Sequence, residues 1–157
     1  MPEKGLPNKG IITVNHNAAV AYDLVNHHEI PLNINKGKCS FAANLKPGDG
    51  MCVLLLDKKI NTIKLSTPKQ VKKGKPFLLQ IDILDKDNKF INAILPLSVT
   101  LTSNDIEIPG SGYYATINGK LTINEILPTN LIGNKIKVTA KCLASGKTTF
   151  KWMIVKQ

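Results

Sequence analysis

From Phe77 to Ile83 the odd positions are all apolar while Gln80 and Asp82 are polar, the period of two expected of a strand with one wet face. Asp85-Lys86-Asp87-Asn88-Lys89 follows, a run of turn formers whose short side chains bond to nearby backbone. Beyond it Leu95, Leu97, Val99 and Leu101 line one face, and Ser98, Thr100 and Thr102 the other. Gly74 to Leu101 is therefore expected to form two long strands folded about a tight polar turn, with the rest of the chain placed around that hairpin.

The same pattern runs on either side of it. Ile60, Ile63 and Leu65 open the C-terminal portion, and Pro68 and Gly74 punctuate it. A polar loop from Asn104 to Gly112 leads into Tyr113–Ile117, and Asn118-Gly119 is the strongest short hairpin signal in the chain, joining that run to Lys120–Ile123. The cleanest alternation sets Ile136, Val138, Ala140 and Cys142 against Lys135, Lys137, Thr139 and Lys141. Ser145-Gly146 then turns the chain back through Phe150, Trp152 and Ile154, read as the inward set with Lys151 outward. Trp152, the only tryptophan, is expected to anchor the core. Between residues 60 and 156 these runs amount to about seven regularly spaced strands, which predicts an immunoglobulin-like β-sandwich. The antibody-type Cys, Trp, Cys arrangement is missing, so the comparison is to architecture alone.

The N-terminal portion is shorter and less regular. Residues 1–10, with two prolines and two glycines, read as a loose lead-in. Ile11–Val14 is β-prone, and Ala18–Val25 reads as a strand because Val20, Tyr22 and Leu24 alternate. Asn26–Glu29 is the expected turn before a strand over Ile30–Ile34. Lys38–Ala42 and Met51–Leu56 flank Leu45–Gly50, whose Pro-Gly and Asp-Gly pairs mark either a hairpin or a sheet corner. Asp57-Lys58-Lys59 breaks the pattern. The expected organisation is all-β: a small antiparallel unit over residues 11–58, followed by the sandwich over residues 59–157.

A chain of 157 residues can bury roughly 70% of the surface its unfolded form exposes. Its 43% hydrophobic and 20% charged residues suit an ordinary globular protein. No apolar run approaches the about 18 residues a bilayer span requires, Met51–Leu56 being too short, so no membrane span is expected. Met1–Gly5 lacks the apolar core of a secretory signal. The chain is expected either to stay inside the cell or to be a piece of a longer protein, extracellular or periplasmic if that parent is secreted.

The net charge of +10 raises the question of a polyanion. Every basic residue is a lysine, and arginine is the residue that clamps phosphate bidentately and reads guanine edges, so specific nucleic-acid recognition is not expected. Only Lys69, Lys72, Lys73 and Lys75 cluster locally, and the rest read as a solvated surface. Cys39, Cys52 and Cys142 lie in strand-like segments without paired spacing. They are expected to be small buried hydrophobes, with one disulfide and a leftover thiol as the open alternative.

The motifs that could carry chemistry are incomplete. Gly146-Lys147-Thr148 matches the end of a phosphate-binding loop, but Lys141 stands where the first glycine belongs and a strand pattern follows where a helix is needed. Asp85, Asp87 and Lys89 resemble the start of a calcium loop, yet Phe90 and Pro96 occupy its glycine and bidentate-glutamate positions. His16, His27, His28 and Glu29 are the one cluster with metal or acid–base potential, and adjacent His27 and His28 cannot both face one site on a strand. The carboxylates Asp23, Asp49, Asp82 and Asp105 fall in turns or on solvent faces. Tyr113 and Tyr114 point to opposite faces, so at most one could stack on a sugar. No residue is assigned to catalysis, to a cofactor or to a metal.

Tyr22-Asp23-Leu24, Ile30-Pro31-Leu32 and Leu45-Lys46-Pro47-Gly48-Asp49-Gly50 together resemble the C-terminal β region of large multidomain bacterial proteins related to glycoside hydrolases. Lys73-Gly74-Lys75, Leu84-Asp85, Ile94-Leu95-Pro96-Leu97, Tyr114–Gly119 and Leu143-Ala144-Ser145-Gly146 are similar to the Ig-like module that follows in such chains. The likeness spans residues 19 to 155. It implies that catalytic carboxylates would lie in an upstream barrel, so none is carried over onto this sequence. The expectation is a non-catalytic accessory or structural fragment of a carbohydrate-active or surface protein, partnered by an upstream catalytic or surface domain. A carbohydrate-binding module and an Ig-like adhesin or cell-surface repeat are the alternatives.

Overall fold

The computed structural model describes residues 8–156, in two compact units, Met1–Lys59 and Ile60–Gln157. The described residues form strands and turns with no helix, so no helix is long and apolar enough to cross a membrane.

The first unit contains β1 (Asn8–Val14), β2 (Val20–Asp23), β3 (His28–Ile30), β4 (Asn33–Asn35), β5 (Lys38–Leu45) and β6 (Val53–Leu56). They make two three-stranded antiparallel sheets, ordered β1-β5-β4 and β3-β2-β6. Leu45–Gly50 is thus a corner, because β5 and β6 belong to different sheets. Ala21, Ile30 and Phe41 form a small buried cluster on which Val14, Leu32, Met51, Val53 and Leu55 pack. The expected strand over Ile30–Ile34 is broken at Pro31-Leu32 into β3 and β4, as suits a residue that cannot donate to a ladder. Lys36-Gly37, with φ of 46° and 76°, closes β4 onto β5 as the two-residue turn whose twist matches a hairpin. Of the expected lead-in, residues 1–7 lie outside the described residues, and residues 8–10 belong to β1.

The second unit contains β7 (Thr62–Ser66), β8 (Gln70–Lys72), β9 (Pro76–Leu84), β10 (Pro96–Ser103), β11 (Ile106–Glu107), β12 (Gly112–Ala115), β13 (Lys120–Ile126), β14 (Lys135–Cys142) and β15 (Thr148–Lys156). One sheet is ordered β13-β9-β7 and the other β11-β10-β14-β15-β8, with β12 sharing the outer edge of β10. This is the immunoglobulin-type split, in which β7, β9 and β13 stand as A, B and E and β10, β14 and β15 as C, F and G. The inward residues of β9 (Leu79, Ile81, Ile83), of β10 (Leu97, Val99, Leu101) and of β14 (Ile136, Val138, Ala140, Cys142) are buried almost completely.

Three expectations are corrected here. First, β9 and β10 are long strands, but they do not pair as a hairpin: each enters a different sheet. Apolar alternation fixes which face a strand buries and says nothing of its neighbour. The chain between them makes one bridge, Leu84 to Phe90, and then crosses over. Second, Asn118-Gly119 does form the hairpin-type turn, with φ of 51° and 73°. It holds only the bridge Ile117 to Lys120 before β12 goes to β10 and β13 to β9.

Third, Trp152 does not anchor the core. It is 55% exposed, whereas Met153 is fully buried. Hairpin parity decides this: Cys142 N–H donates to Lys147 O at 2.9 Å, which sets Ile136 opposite Met153 and Lys137 opposite Trp152. With Ile136 inward, Met153 must follow it, and Phe150, Trp152 and Ile154 face out.

Cys39 and Cys142 are buried as expected, but Cys52 is exposed and lies just before β6, and all three thiols are free. Treatment of the folded chain with iodoacetamide should therefore add one adduct, at Cys52, and denaturation should admit the other two. A mass showing no reactive thiol, or three, would contradict this arrangement.

Candidate binding face

The side chains that the sheet register brings together lie on the outward face of β10, β14, β15 and β8. Antiparallel partners point the same way, so the face can be read row by row. Tyr113, Ser98, Lys141 and Thr148 form one row; Thr100, Thr139 and Phe150 the next; Glu107, Thr102, Lys137 and Trp152 a third; Lys135, Ile154 and Gln70 a fourth. The last strand pair adds Lys156 beside Lys72. The columns thus differ in chemistry: hydroxyls on β10, lysines on β14, and large apolar groups on β15.

Phe150, Trp152 and Ile154 are all about half exposed, at 56%, 55% and 49%. The Lys137 ammonium sits over the Phe150 ring, 5.0 Å from its centroid, a cation–π arrangement that occupies one face of that ring. Trp152 and Ile154, with Lys69 and Lys135, line an open hollow of about 530 Å³. Ile154 N–H donates to Lys69 O at 3.0 Å, which fixes the Lys69 backbone beside β15. Among the described residues none of Lys69, Lys72, Lys135, Lys141 and Lys156 is paired with a carboxylate.

Tyr113 stands 83% exposed on this face, while Tyr114 turns the other way and donates its hydroxyl to Gly110 O at 2.9 Å. The two tyrosines therefore do point to opposite faces. Trp152 and Phe150, which the sequence reading placed inside, join the exposed one. The signal for them was the apolarity of both phases at the end of β15, where Met153 and Val155 alternate with Trp152 and Ile154; Lys151, which shares the phase of Met153, pointed the other way and is exposed.

Several other candidate groups are held in local structural tasks, and Asp82, expected on a solvent face, is instead buried and accepts from Gln80 Nε2 at 3.0 Å. Asp85 is buried and its Oδ1 accepts from the N–H groups of Asp87 at 2.9 Å and Lys89 at 2.8 Å, capping its own turn. His16 Nε2 lies 3.4 Å from Asp57, and Lys59 reaches Glu29 at 2.6 Å. His27 sits in a turn with φ of 57°, so the histidines and Glu29 are not gathered into one site. No three His, Cys, Asp or Glu side chains converge as a metal set among the described residues. Gly146, φ 70°, lies in the β14–β15 connection, and Thr148 begins a strand.

Asp23 is buried at the end of β2. Its Oδ1 accepts from Val25 N–H at 2.8 Å and Asn26 N–H at 3.1 Å, and its Oδ2 from Asn26 Nδ2 at 2.8 Å. The Asn26 side-chain amide foremost, with these backbone groups and nearby His28, holds the carboxyl below its usual range against the opposing effect of burial. A folded value below the unfolded one means a contribution fully present above the unfolded pKa of about 3.9 and lost as pH falls through the lower folded value. Hydrogen exchange of peptides covering Val20–Ile30 should thus accelerate in acid once normalised for intrinsic rates, and Asp23→Asn should flatten that dependence. An unchanged profile in the variant would rule this origin out.

No protein-family model matches the sequence, and no curated protein matches it. Among solved structures the chain is similar to a superoxide reductase (neelaredoxin) from Ignicoccus hospitalis, at 15% identity and a TM-score of 0.46, over 62% of this chain and 82% of that one. It is similar to the adhesin InvE of Yersinia pseudotuberculosis, at 11% identity and a TM-score of 0.48, over 99% of this chain and 50% of the other. It is also similar to a glycosyl hydrolase family 2 member from Bacteroides cellulosilyticus, at 14% identity and a TM-score of 0.48, over 100% of this chain and 24% of the other. The chain thus spans half of the adhesin chain and about a quarter of the hydrolase chain. At these scores the likenesses identify neither a family nor an activity.

Proposed function

We propose that this chain is a non-catalytic accessory β protein of a larger bacterial carbohydrate-active or surface protein. The observation that carries the reading is how the ionisable side chains are committed: Asp23 and Asp85 cap their own turns, His16 faces Asp57, and Glu29 holds Lys59. General acid–base work needs such a group within reach of a bound substrate and free to exchange its proton. The sequence motifs similar to the C-terminal β region of glycoside-hydrolase-like proteins support the same reading. Incubation of the purified chain with a panel of neutral and acidic glycans, esters and nucleotides should release no product, and turnover of any of them would end the proposal. A continuous barrel-coding frame upstream of Met1 would support the accessory role, whereas tandem copies of the second unit would favour an adhesin.

A second reading, a carbohydrate-binding module, is favoured by Trp152. A tryptophan held half exposed on an interior strand of a sheet is a rigid platform for the apolar face of a sugar ring.

A further inference from the structure

We infer that the outward face of β10, β14, β15 and β8 binds an acidic polysaccharide, with Trp152 stacking on a sugar ring and Lys69 and Lys135 taking its carboxylate or sulfate groups. This deepens the carbohydrate-binding reading of the same face and rests on it. Charge decides the class of ligand. The rows of this face carry Lys72, Lys135, Lys137, Lys141 and Lys156 against one carboxylate, Glu107, at the far edge. Lys72 and Lys156 stand opposite each other, an arrangement of like charges that an anion relieves.

The hollow flanked by Lys69 and Lys135 is walled by Trp152 and Ile154, so a ring stacked on the indole carries its acidic substituent beside an ammonium group. Ser98, Thr100 and Thr102 extend the face with hydroxyls that donate and accept, as sugar hydroxyls require.

Two other anionic partners fit less well. A peptide adding as a strand needs a free sheet edge; β14 and β15, which carry Lys135 and Trp152, are interior strands paired on both sides, and the edge strand β8 offers only the three residues Gln70–Lys72. Single-stranded nucleic acid is held by successive open aromatic faces beside a cationic track. On β15 the Phe150 ring already carries Lys137, and Tyr113, also open on this face, stands across β10 and β14 on β12 and in a different row from Trp152, so the open rings do not follow one another. A neutral glycan would leave the lysine column without a role.

The test uses the whole chain and four probes: polygalacturonate, heparin, neutral dextran and oligothymidylate, each titrated at low and raised salt. At least one of the two acidic glycans should bind, more weakly as salt rises, and which one binds identifies carboxylate or sulfate as the recognised group. Trp152→Ala should weaken that binding about tenfold or more without changing the circular dichroism of the fold. Lys69→Gln combined with Lys135→Gln should weaken it and flatten its salt dependence. The inference is overturned if neither acidic glycan binds, if dextran binds as well, if Trp152→Ala changes nothing, or if oligothymidylate binds as tightly as the better glycan. Reducing ends are measured in the same samples. Absence of binding without product removes this inference and leaves the accessory role standing, while product formation removes the accessory role itself.

Discussion

Gly119→Ala is expected to lower the melting temperature of the Ile60–Gln157 unit by more than about 10 °C, from a loss of roughly 3 kcal/mol or more. The residue has φ of +73°, and a Cβ built on it would meet Ile91 O at 2.6 Å, Ile83 O at 3.0 Å and Ile91 N at 3.0 Å. All three are backbone atoms, which cannot swing aside as a flexible side chain would. They are also tied together: Ile91 N–H donates to Ile83 O at 3.0 Å, Ile83 N–H to Gly119 O at 2.7 Å, and Gly119 N–H to Ala93 O at 3.1 Å. The turn therefore plugs the place where the chain leaves β9, and a methyl group there must break bonds on both sides. Asn118→Gly, which keeps the positive φ accessible and adds no atoms, should cost under about 1 kcal/mol. Differential scanning calorimetry of the two variants decides the matter, and equal melting temperatures would show that the turn is not confined as described.

Met153→Ala should destabilise the same unit by about 2–5 kcal/mol, whereas Trp152→Ala should change its stability by under about 1 kcal/mol. Met153 is fully buried opposite Ile136, while Trp152 is more exposed than not. Removing the thioether side chain leaves a void between packed strands, and removing the indole leaves only surface. Chemical denaturation with a constant slope is the measurement. If the two costs were reversed, β15 would sit one residue out of phase, and the exposed Phe150-Trp152-Ile154 column would vanish with it.

That pair of residues also shows where a sequence stops being readable. The face each strand buries was legible on β14, because lysines and one threonine alternate strictly with Ile136, Val138, Ala140 and Cys142. On β15 both phases are apolar toward the C-terminal end, so side-chain chemistry cannot choose, and the parity of the connection through Ser145-Gly146 does. Strand existence was equally legible on β9 and β10. Their partners were not, since an alternating strand fits any neighbour that shares its wet and dry sides. The candidate face follows the same logic. Tyr113 and Tyr114 could be sent to opposite sides from their adjacency alone. The lysines looked dispersed because register, which aligns residues far apart in the chain, is what gathers Lys72, Lys135, Lys137, Lys141 and Lys156.

The pairing of β8 with β15 is parallel and joins Gln70 to Ile154, so an early strand of the second unit has no companion until the latest one has been made. While the ribosome is still working, β7 and β9 can already zip together, but Val71 waits with its backbone in water until Val155 emerges. Closure of that sheet is thus a late event in the life of each molecule, slow because the loop it must shut is nearly the whole unit. In the interval before it, Val71, buried once the sandwich is complete, stands uncovered.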